Sequence, residues 1–193
     1  MIEKDQNLNV KITTALERIS SAFRVLLWNE GKESSLSPIQ IQILVFLFQH
    51  PHKNYTASYL AEEFNLTKAT ISESLKVLFK KKLVQKAENL LDTRSYFLQL
   101  TESGIATAKK SSNFSSEIEN SLGNFPLEQQ EVLFESLTKL IYDLHQSGHI
   151  SLQRMCFNCR NYSLKNGRHY CSLLEKNLKN SELRVDCGEF EKV

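Results

Sequence analysis

Apolar residues recur at helical spacing through most of the chain. Residues 7–30 carry them as one stripe on an otherwise polar segment, which predicts a long amphipathic helix ending near Gly31. Residues 38–49 are almost all apolar and follow Ser37-Pro38, a strong helix start with Gln40 placed to complete a capping box. This second helix is therefore predicted to be the buried centre of a domain. The stripe of the first helix consists of Leu8, Ile12, Leu16, Ile19, Phe23, Leu26 and Leu27.

Residues 55–101 predict two short helices joined by a tight turn, followed by a hairpin. Thr56 and Thr67 are N-cap candidates, and Asn65 between the helices tolerates the left-handed conformation that such a turn requires. Apolar spacing turns both helices onto one core, while Ala61 allows a close crossing. Alternation in residues 95–100 predicts a returning strand, so a wing should follow the second helix. The core positions are Leu60, Phe64, Leu66, Ile71, Leu75 and Leu78.

Two more long helices are predicted after the hairpin. Residues 101–122 have a thin apolar stripe and a polar middle, as expected of a linker helix. Pro126 opens the last long helix, which ends near Gly148 and whose apolar face is predicted to pair with the first helix.

The stretch LAEEFNLTKATISESLKVLFKKKLV, the pair Asp92-x-Arg94 and the exit LQLTESG together resemble the winged helix of the MarR family of bacterial transcriptional regulators. The resemblance implies a mainly α fold with a small β-wing (α+β), namely a winged helix-turn-helix with long N- and C-terminal dimerisation helices. It also implies a homodimer and an Asp92-supported Arg94 at the wing tip that enters the minor groove. Lys82 stands where the family usually has glycine.

The chain is expected to divide into four segments. They are residues 1–34, an N-terminal dimerisation helix; 35–101, the winged helix-turn-helix domain; 102–150, the linker and C-terminal dimerisation helices; and 151–193, a four-cysteine module packed on the dimerisation helices.

Positive charge is concentrated in one part of the chain. The net charge is only +2, yet residues 67–94 contain seven basic and three acidic side chains, a surplus of four positive charges that a DNA backbone would attract. Short polar side chains on the second helix of the pair suit a major groove, and its lysines suit phosphates. The DNA-binding residues predicted are Thr67, Lys68, Ala69, Thr70, Ser72, Lys76 and Arg94, with Glu73 on the same face and Asp92 supporting the wing.

All four cysteines of the chain lie in its last 38 residues, spaced C-x2-C-x11-C-x15-C. Such spacing predicts a four-thiolate metal site at Cys156, Cys159, Cys171 and Cys187, with zinc favoured and an iron–sulfur cluster as the alternative. A module this small also benefits from a metal staple. Nearby arginines at 154, 160, 168 and 184 would offset the negative charge of the thiolates.

Other interpretations of the cysteines remain open. The cysteines could be buried apolar residues, they could form two disulfides, or they could act as a metal-independent thiol redox switch. His169 could replace one cysteine as a ligand, and His145 with His149 could form a metal pair, although surface or helix-end roles explain these histidines more simply.

The sequence favours a cytoplasmic, non-enzymatic regulator. No apolar run approaches the ~20 residues that span a bilayer, and residues 1–11 contain no apolar signal region. No second catalytic group accompanies the cysteines. The predicted function is a DNA-binding regulator, expected to be a repressor, that occludes a palindromic operator as a homodimer. A signal, for which a small-molecule effector is one candidate, would act through the helix at 101–122, and the four-cysteine site is either structural or sensory. The alternative is a winged-helix adaptor that binds proteins instead of DNA.

Overall fold

The computed structural model describes residues 7–51, 53–88, 95–151 and 154–192. Among the helices in these ranges, none has the length and apolarity needed to cross a membrane. The helices are α1 Leu8–Ser34, α2 Pro38–Gln49, α3 Ala57–Glu63, α4 Lys68–Lys80, α5 Glu102–Ser111, α6 Ser116–Gly123 and α7 Leu127–Gln146. The strands are β1 Val84–Glu88, β2 Tyr96–Leu100, β3 Tyr162–Lys165, β4 Arg168–Cys171 and β5 Lys176–Leu178.

Helix α2 is the centre of the core, as predicted. Its Ile41, Ile43 and Leu44 are fully buried, and they form one hydrophobic cluster with side chains of α3 and α4. The helix begins where the capping pattern indicates, because the Ser37 N–H donates to Gln40 Oε1 at 3.0 Å. The partners in α3 and α4 are Leu60, Ile71, Leu75 and Leu78.

Helix α1 runs past the point at which the sequence predicts its end. Gly31 lies inside the helix, and the turn is made by Ser35, whose φ of 51° is left-handed. A Cβ on Gly31 would stand 2.2 Å from the carbonyl oxygen of Leu36, so the glycine permits a close approach of backbone rather than ending the helix.

The helix-turn-helix is capped as predicted. Thr56 Oγ1 accepts the Tyr59 N–H at 3.2 Å, and Thr67 Oγ1 accepts the Thr70 N–H at 3.1 Å. Asn65 adopts the left-handed turn with φ of 51°. The core prediction for Leu66 is wrong, since this residue is 38% exposed.

Strands β1 and β2 form the antiparallel wing, with Val84 opposite Leu100. Lys82 enters the wing with φ of 54°, so a lysine adopts the left-handed conformation that glycine would favour. Its carbonyl accepts the hydroxyls of Thr101 at 2.7 Å and Ser103 at 3.0 Å, which ties this corner to the start of α5. The predicted wing-tip residues Asp92 and Arg94 lie outside the described residues.

The predicted single helix over 101–122 is two helices. α5 ends at Ser111 and α6 begins at Ser116. Serines and asparagine in the intervening stretch offer the backbone alternative hydrogen bonds, and the bend brings Phe114 to a 6.5 Å edge-on contact with Phe23 of α1.

The cysteine module, residues 151–193, contains structure that the sequence pattern did not predict. Strands β3, β4 and β5 form an antiparallel sheet in that order. A small apolar core accompanies the sheet: Met155, Leu178, Leu183 and Phe190 are buried. The module contacts the last long helix, α7, where Tyr142 and Phe157 have ring centroids 5.1 Å apart.

Gly104→Ala tests the packing of α5 against the wing. An added Cβ would stand 1.9 Å from the carbonyl oxygen of Leu83, a backbone atom that cannot rotate away. We expect a loss of roughly 1–3 kcal/mol in the free energy of unfolding, measured by urea denaturation. Gly123→Ala is the matched control, because nothing lies within 4 Å of its added Cβ, and we expect it to be neutral or stabilising. Equal stability of the two variants would contradict this packing.

Candidate nucleic-acid interface and four-cysteine site

Helix α4 separates its residues into a buried face and an exposed face. Ile71, Leu75 and Leu78 point into the core, and Ser74 is buried with its hydroxyl donating to the Thr70 carbonyl at 3.0 Å. The predicted DNA-binding residues on α4 and its N-cap are all exposed, as is Glu73. Exposure of these residues is therefore as predicted. They are Thr67, Lys68, Ala69, Thr70, Ser72 and Lys76.

Hydrogen bonds on the exposed face are local. The hydroxyls of Thr67 and Thr70 are 2.9 Å apart, and Lys76 Nζ lies 2.5 Å from Glu73 Oε1. Because both partners of the Lys76–Glu73 pair are largely exposed, the pair contributes little to stability in water. Lys76 can therefore exchange this partner for another anion at small cost.

Some of the basic residues near α4 have structural contacts. Lys81 Nζ donates to the Ser34 carbonyl at 3.1 Å, and Lys86 Nζ lies 4.3 Å from the centre of the Tyr96 ring. Lys68, Lys76 and Lys80 present their charges to solvent along the helix. The basic surface on α4 is thus carried mainly by these three lysines.

The four cysteines surround one small cavity of about 40 Å³. Cys156 begins a 3-10 turn that Cys159 follows, Cys171 ends β4, and Cys187 lies in the C-terminal loop. All four are half-buried free thiols. The fold thus brings together residues that are up to 31 positions apart in the sequence, 156 to 187.

Arg184 contacts two of these sulfurs. Its backbone N–H donates to Cys156 Sγ at 3.2 Å, and its guanidinium lies 3.7 Å from Cys187 Sγ. Burial raises the pKa of the Cys156 thiol, and the Arg184 N–H opposes that rise. The expected charge compensation is therefore found for Arg184, whereas Arg160 pairs with Glu191 at 3.3 Å.

The thiols converge without forming a finished coordination site. In the described parts of the chain, no group of three or more His, Cys, Asp or Glu side chains is arranged, as it stands, to hold a metal ion. All four cysteines line the same cavity, and rotation about the single side-chain torsion of a cysteine changes the direction of its sulfur.

The histidines near the module have other partners. His169 Nδ1 lies 2.6 Å from the Tyr162 hydroxyl and its Nε2 lies 3.1 Å from Asn180 Oδ1. His145 Nδ1 lies 3.0 Å from the Ile150 carbonyl oxygen. Both ring nitrogens of His169 are thus engaged in hydrogen bonds within the module.

Sequence reasoning missed the attachment of the module to the winged-helix domain. Arg154, only 2% exposed, inserts between the two parts, with Nε 2.5 Å from Asp186 Oδ1 and Nη1 3.3 Å from the Tyr55 hydroxyl. His50 Nε2 lies 3.1 Å from the same Asp186 carboxylate. No periodicity marks an arginine as buried, and its partner acid is 32 residues away, so the sequence offered no direct signal.

A second attachment lies at the turn between α3 and α4. The Ser151 N–H donates to Asn65 Oδ1 at 2.6 Å, and the Ser151 hydroxyl donates to the Glu62 carbonyl at 2.6 Å. Lys192 Nζ adds an ion pair with Glu62 Oε2 at 3.0 Å. The module therefore contacts the residue that makes the helix-turn-helix corner.

Comparisons with known proteins agree with this geometry. The MarR family model matches residues 34–95. The S. aureus MepR–DNA complex has 25% identity and a TM-score of 0.62, covering 68% of this chain and 97% of that one. A putative MarR family transcriptional regulator from Listeria monocytogenes, solved with a 26mer DNA, has 20% identity and a TM-score of 0.62, covering 70% and 89%. Streptococcus pneumoniae FabT, in complex with DNA, has 21% identity and a TM-score of 0.60, covering 72% and 98%.

These structures are matched almost over their whole lengths, whereas this chain extends beyond the matched part. No curated protein is significantly similar to the chain. The matched segment contains the core helix, the helix-turn-helix and the first strand of the wing described above. Residues 34–95 therefore match the MarR family model, and they lie within a fold shared with MarR-family winged-helix regulators.

Proposed function

We propose that the protein is a DNA-binding transcriptional regulator of MarR type that inserts α4 into the major groove. The observation that carries this proposal is the exposed face of α4, where short polar side chains and lysines stand on a helix anchored by a fully buried opposite face. Structural neighbours solved with DNA support it, since one of them shares 25% identity with this chain.

Each exposed residue has a chemical role in this proposal. Thr67, Ala69, Thr70 and Ser72 are small enough to let the helix approach base edges closely, where methyl groups meet thymine methyls and hydroxyls form hydrogen bonds. Lys68 and Lys76 contact phosphates on either side of the groove. At the wing, Arg94, oriented by Asp92, reaches into the minor groove.

The regulator acts as a homodimer. An exposed groove between α1 and α7 has a largely apolar lining, which a monomer would leave in water. A second copy of the chain covers these positions and holds two α4 helices one helical turn apart on a palindromic operator, so that repression is by occlusion. A small-molecule effector changes that spacing through α5. The lining includes Ile12, Leu16, Val132, Leu133, Leu137 and Leu140.

The cysteine module binds one zinc ion through Cys156, Cys159, Cys171 and Cys187. Four free thiols line one small cavity, and four cysteine thiolates form a common ligand set of a structural zinc ion. Zinc would supply the cross-link between a short 3-10 turn, a strand and a loop that this small core otherwise joins weakly.

Lys68→Ala tests the phosphate contact. We expect weaker binding to DNA upstream of the protein's own coding sequence, and a slope of log affinity against log salt that decreases by about 1 for each protomer bound. Lys139→Ala removes the same charge from α7 and serves as the control. An unchanged slope for Lys68→Ala would remove Lys68 from the interface. Absence of salt-dependent binding by the parent would favour the protein-binding adaptor.

Val132→Lys tests the dimer. Val132 is 60% exposed in the single chain, so a lysine is tolerated by the protomer but places two charges in the proposed interface. We expect analytical ultracentrifugation to show a shift from dimer to monomer at micromolar concentration. Leu164→Lys, at a residue 62% exposed on β3, is the control. A fully dimeric Val132→Lys protein would contradict an interface on this part of α7.

Metal analysis of the anaerobically purified protein tests the zinc site. We expect colourless protein with one zinc per chain, and four reactive thiols once a chelator removes it, since the chain has four cysteines. Cys171→Ser should lose most of the zinc, whereas His169→Gln should retain it.

Other results of the metal analysis distinguish the alternatives. Brown protein with iron and acid-labile sulfide would replace zinc by an iron–sulfur cluster. Four titratable thiols without metal would contradict the metal site and leave the thiol switch.

A further inference from the structure

The cysteines and the contacts to the winged-helix domain share the same two backbone segments. Arg154 is two residues before Cys156, and Asp186 is directly before Cys187. The Cys187 N–H donates to the Arg154 carbonyl at 2.8 Å, and the Cys156 N–H donates to the Arg184 carbonyl at 3.0 Å. The two segments that line the cavity therefore also carry Arg154 and Asp186, and these backbone hydrogen bonds keep the two residues close together.

The side chain of Arg154 contacts both the winged-helix domain and Asp186. Its guanidinium carbon lies 5.7 Å from the centre of the Phe46 ring, and its Nη1 donates to the Tyr55 hydroxyl at 3.3 Å. A buried guanidinium requires a charged partner, because desolvation is costly unless an anion is close. Asp186 is the carboxylate that meets it at hydrogen-bonding distance.

Glu63, at the end of α3, faces the same cluster but does not replace Asp186. Burial raises the pKa of its carboxyl, and the charge of Arg154 opposes the rise. Its Oε2 is buried and has no hydrogen-bond partner among the described residues. Release of Asp186 would therefore leave Arg154 beside an acid that is already poorly solvated, and the insertion would become unfavourable.

The same segment reaches the corner of the helix-turn-helix. Ser151 lies three residues before Arg154 and holds Asn65, the left-handed residue between α3 and α4, by hydrogen bonds in both directions. Because only two residues separate them in the chain, an anchored Arg154 limits how far Ser151 can move, and Ser151 hydrogen-bonds the turn residue Asn65.

We propose that metal binding by the four cysteines holds Asp186 against Arg154 and thereby fixes the α3–α4 turn, so that loss of the metal weakens operator binding. This inference rests on the proposed function. In this proposal, metal binding to the module stabilises the orientation of α4 within one protomer. This effect is separate from any change in the distance between the two protomers.

The first experiment compares the zinc-loaded full chain with the same protein stripped by a chelator under reducing, anaerobic conditions. We expect hydrogen exchange across residues 57–67 to become about tenfold faster on stripping, and affinity for the upstream DNA to fall by about tenfold. Equal exchange in the two forms would overturn the inference. A chain that takes up no metal would overturn it as well, while leaving the DNA proposal intact.

Asp186→Asn separates metal binding from its consequence. The variant keeps all four cysteines, so it should bind zinc normally while the difference between its zinc-loaded and stripped forms, in exchange and in affinity, largely disappears. Glu191→Gln is the matched control, because its exposed pair with Arg160 lies within the module, and it should retain the full difference. An Asp186→Asn protein with the parent's tenfold differences would overturn the role of the ion pair.

Measurements of hydrogen exchange and of DNA binding distinguish failure of the coupling from failure of the proposed function. If zinc slows exchange in residues 57–67 but neither form binds DNA, the proposed regulatory function is wrong and the structural coupling stands. If both forms bind DNA with equal affinity and exchange equally, the function stands and the coupling is overturned.

Discussion

The ion pair between the buried Arg154 and the half-exposed Asp186 is the interaction on which the joining of the two parts of the molecule depends. An arginine that loses almost all contact with water is stabilised only where its charge and its hydrogen-bond donors are met together. Here the aromatic rings of the winged-helix domain surround the guanidinium and the module supplies the carboxylate. Neither part satisfies Arg154 alone, so this contact selects one docking orientation rather than merely adding apolar area.

Polar side chains also stabilise the turns and helix ends of the winged-helix domain. The whole chain contains only six glycines. Threonine hydroxyls cap α3, α4 and α5, and the corner at Lys82 is held by hydroxyls of the following helix. The left-handed backbone at Asn65 and Lys82 costs conformational energy, and tertiary contacts on both sides compensate for it. The direction of α4 is thus set by hydrogen bonds at its two ends as much as by its buried face.

Local chemistry explains which features could be predicted. Caps at Thr56 and Thr67, the burial of α2 and the exposed face of α4 depend on residues within a few positions of one another, and periodicity reveals them. The break between α5 and α6 was missed because it depends on Phe114 reaching α1. The convergence of the cysteines was predictable from spacing, whereas the β3–β5 sheet and the buried Arg154 depend on pairings over longer distances that no pattern encodes.

The position of Arg154 has a consequence for the boundaries of the folded unit. A stop codon after residue 150 would preserve every helix of the winged-helix fold, yet it would uncover the rings of Phe46, Tyr55 and Tyr59 and the buried end of Glu63. The shortened chain would expose an apolar, partly charged hollow beside α3 to solvent, and such a surface favours aggregation. The C-terminal segment therefore completes the interior of this protein, and we expect a nonsense mutation there to impair folding.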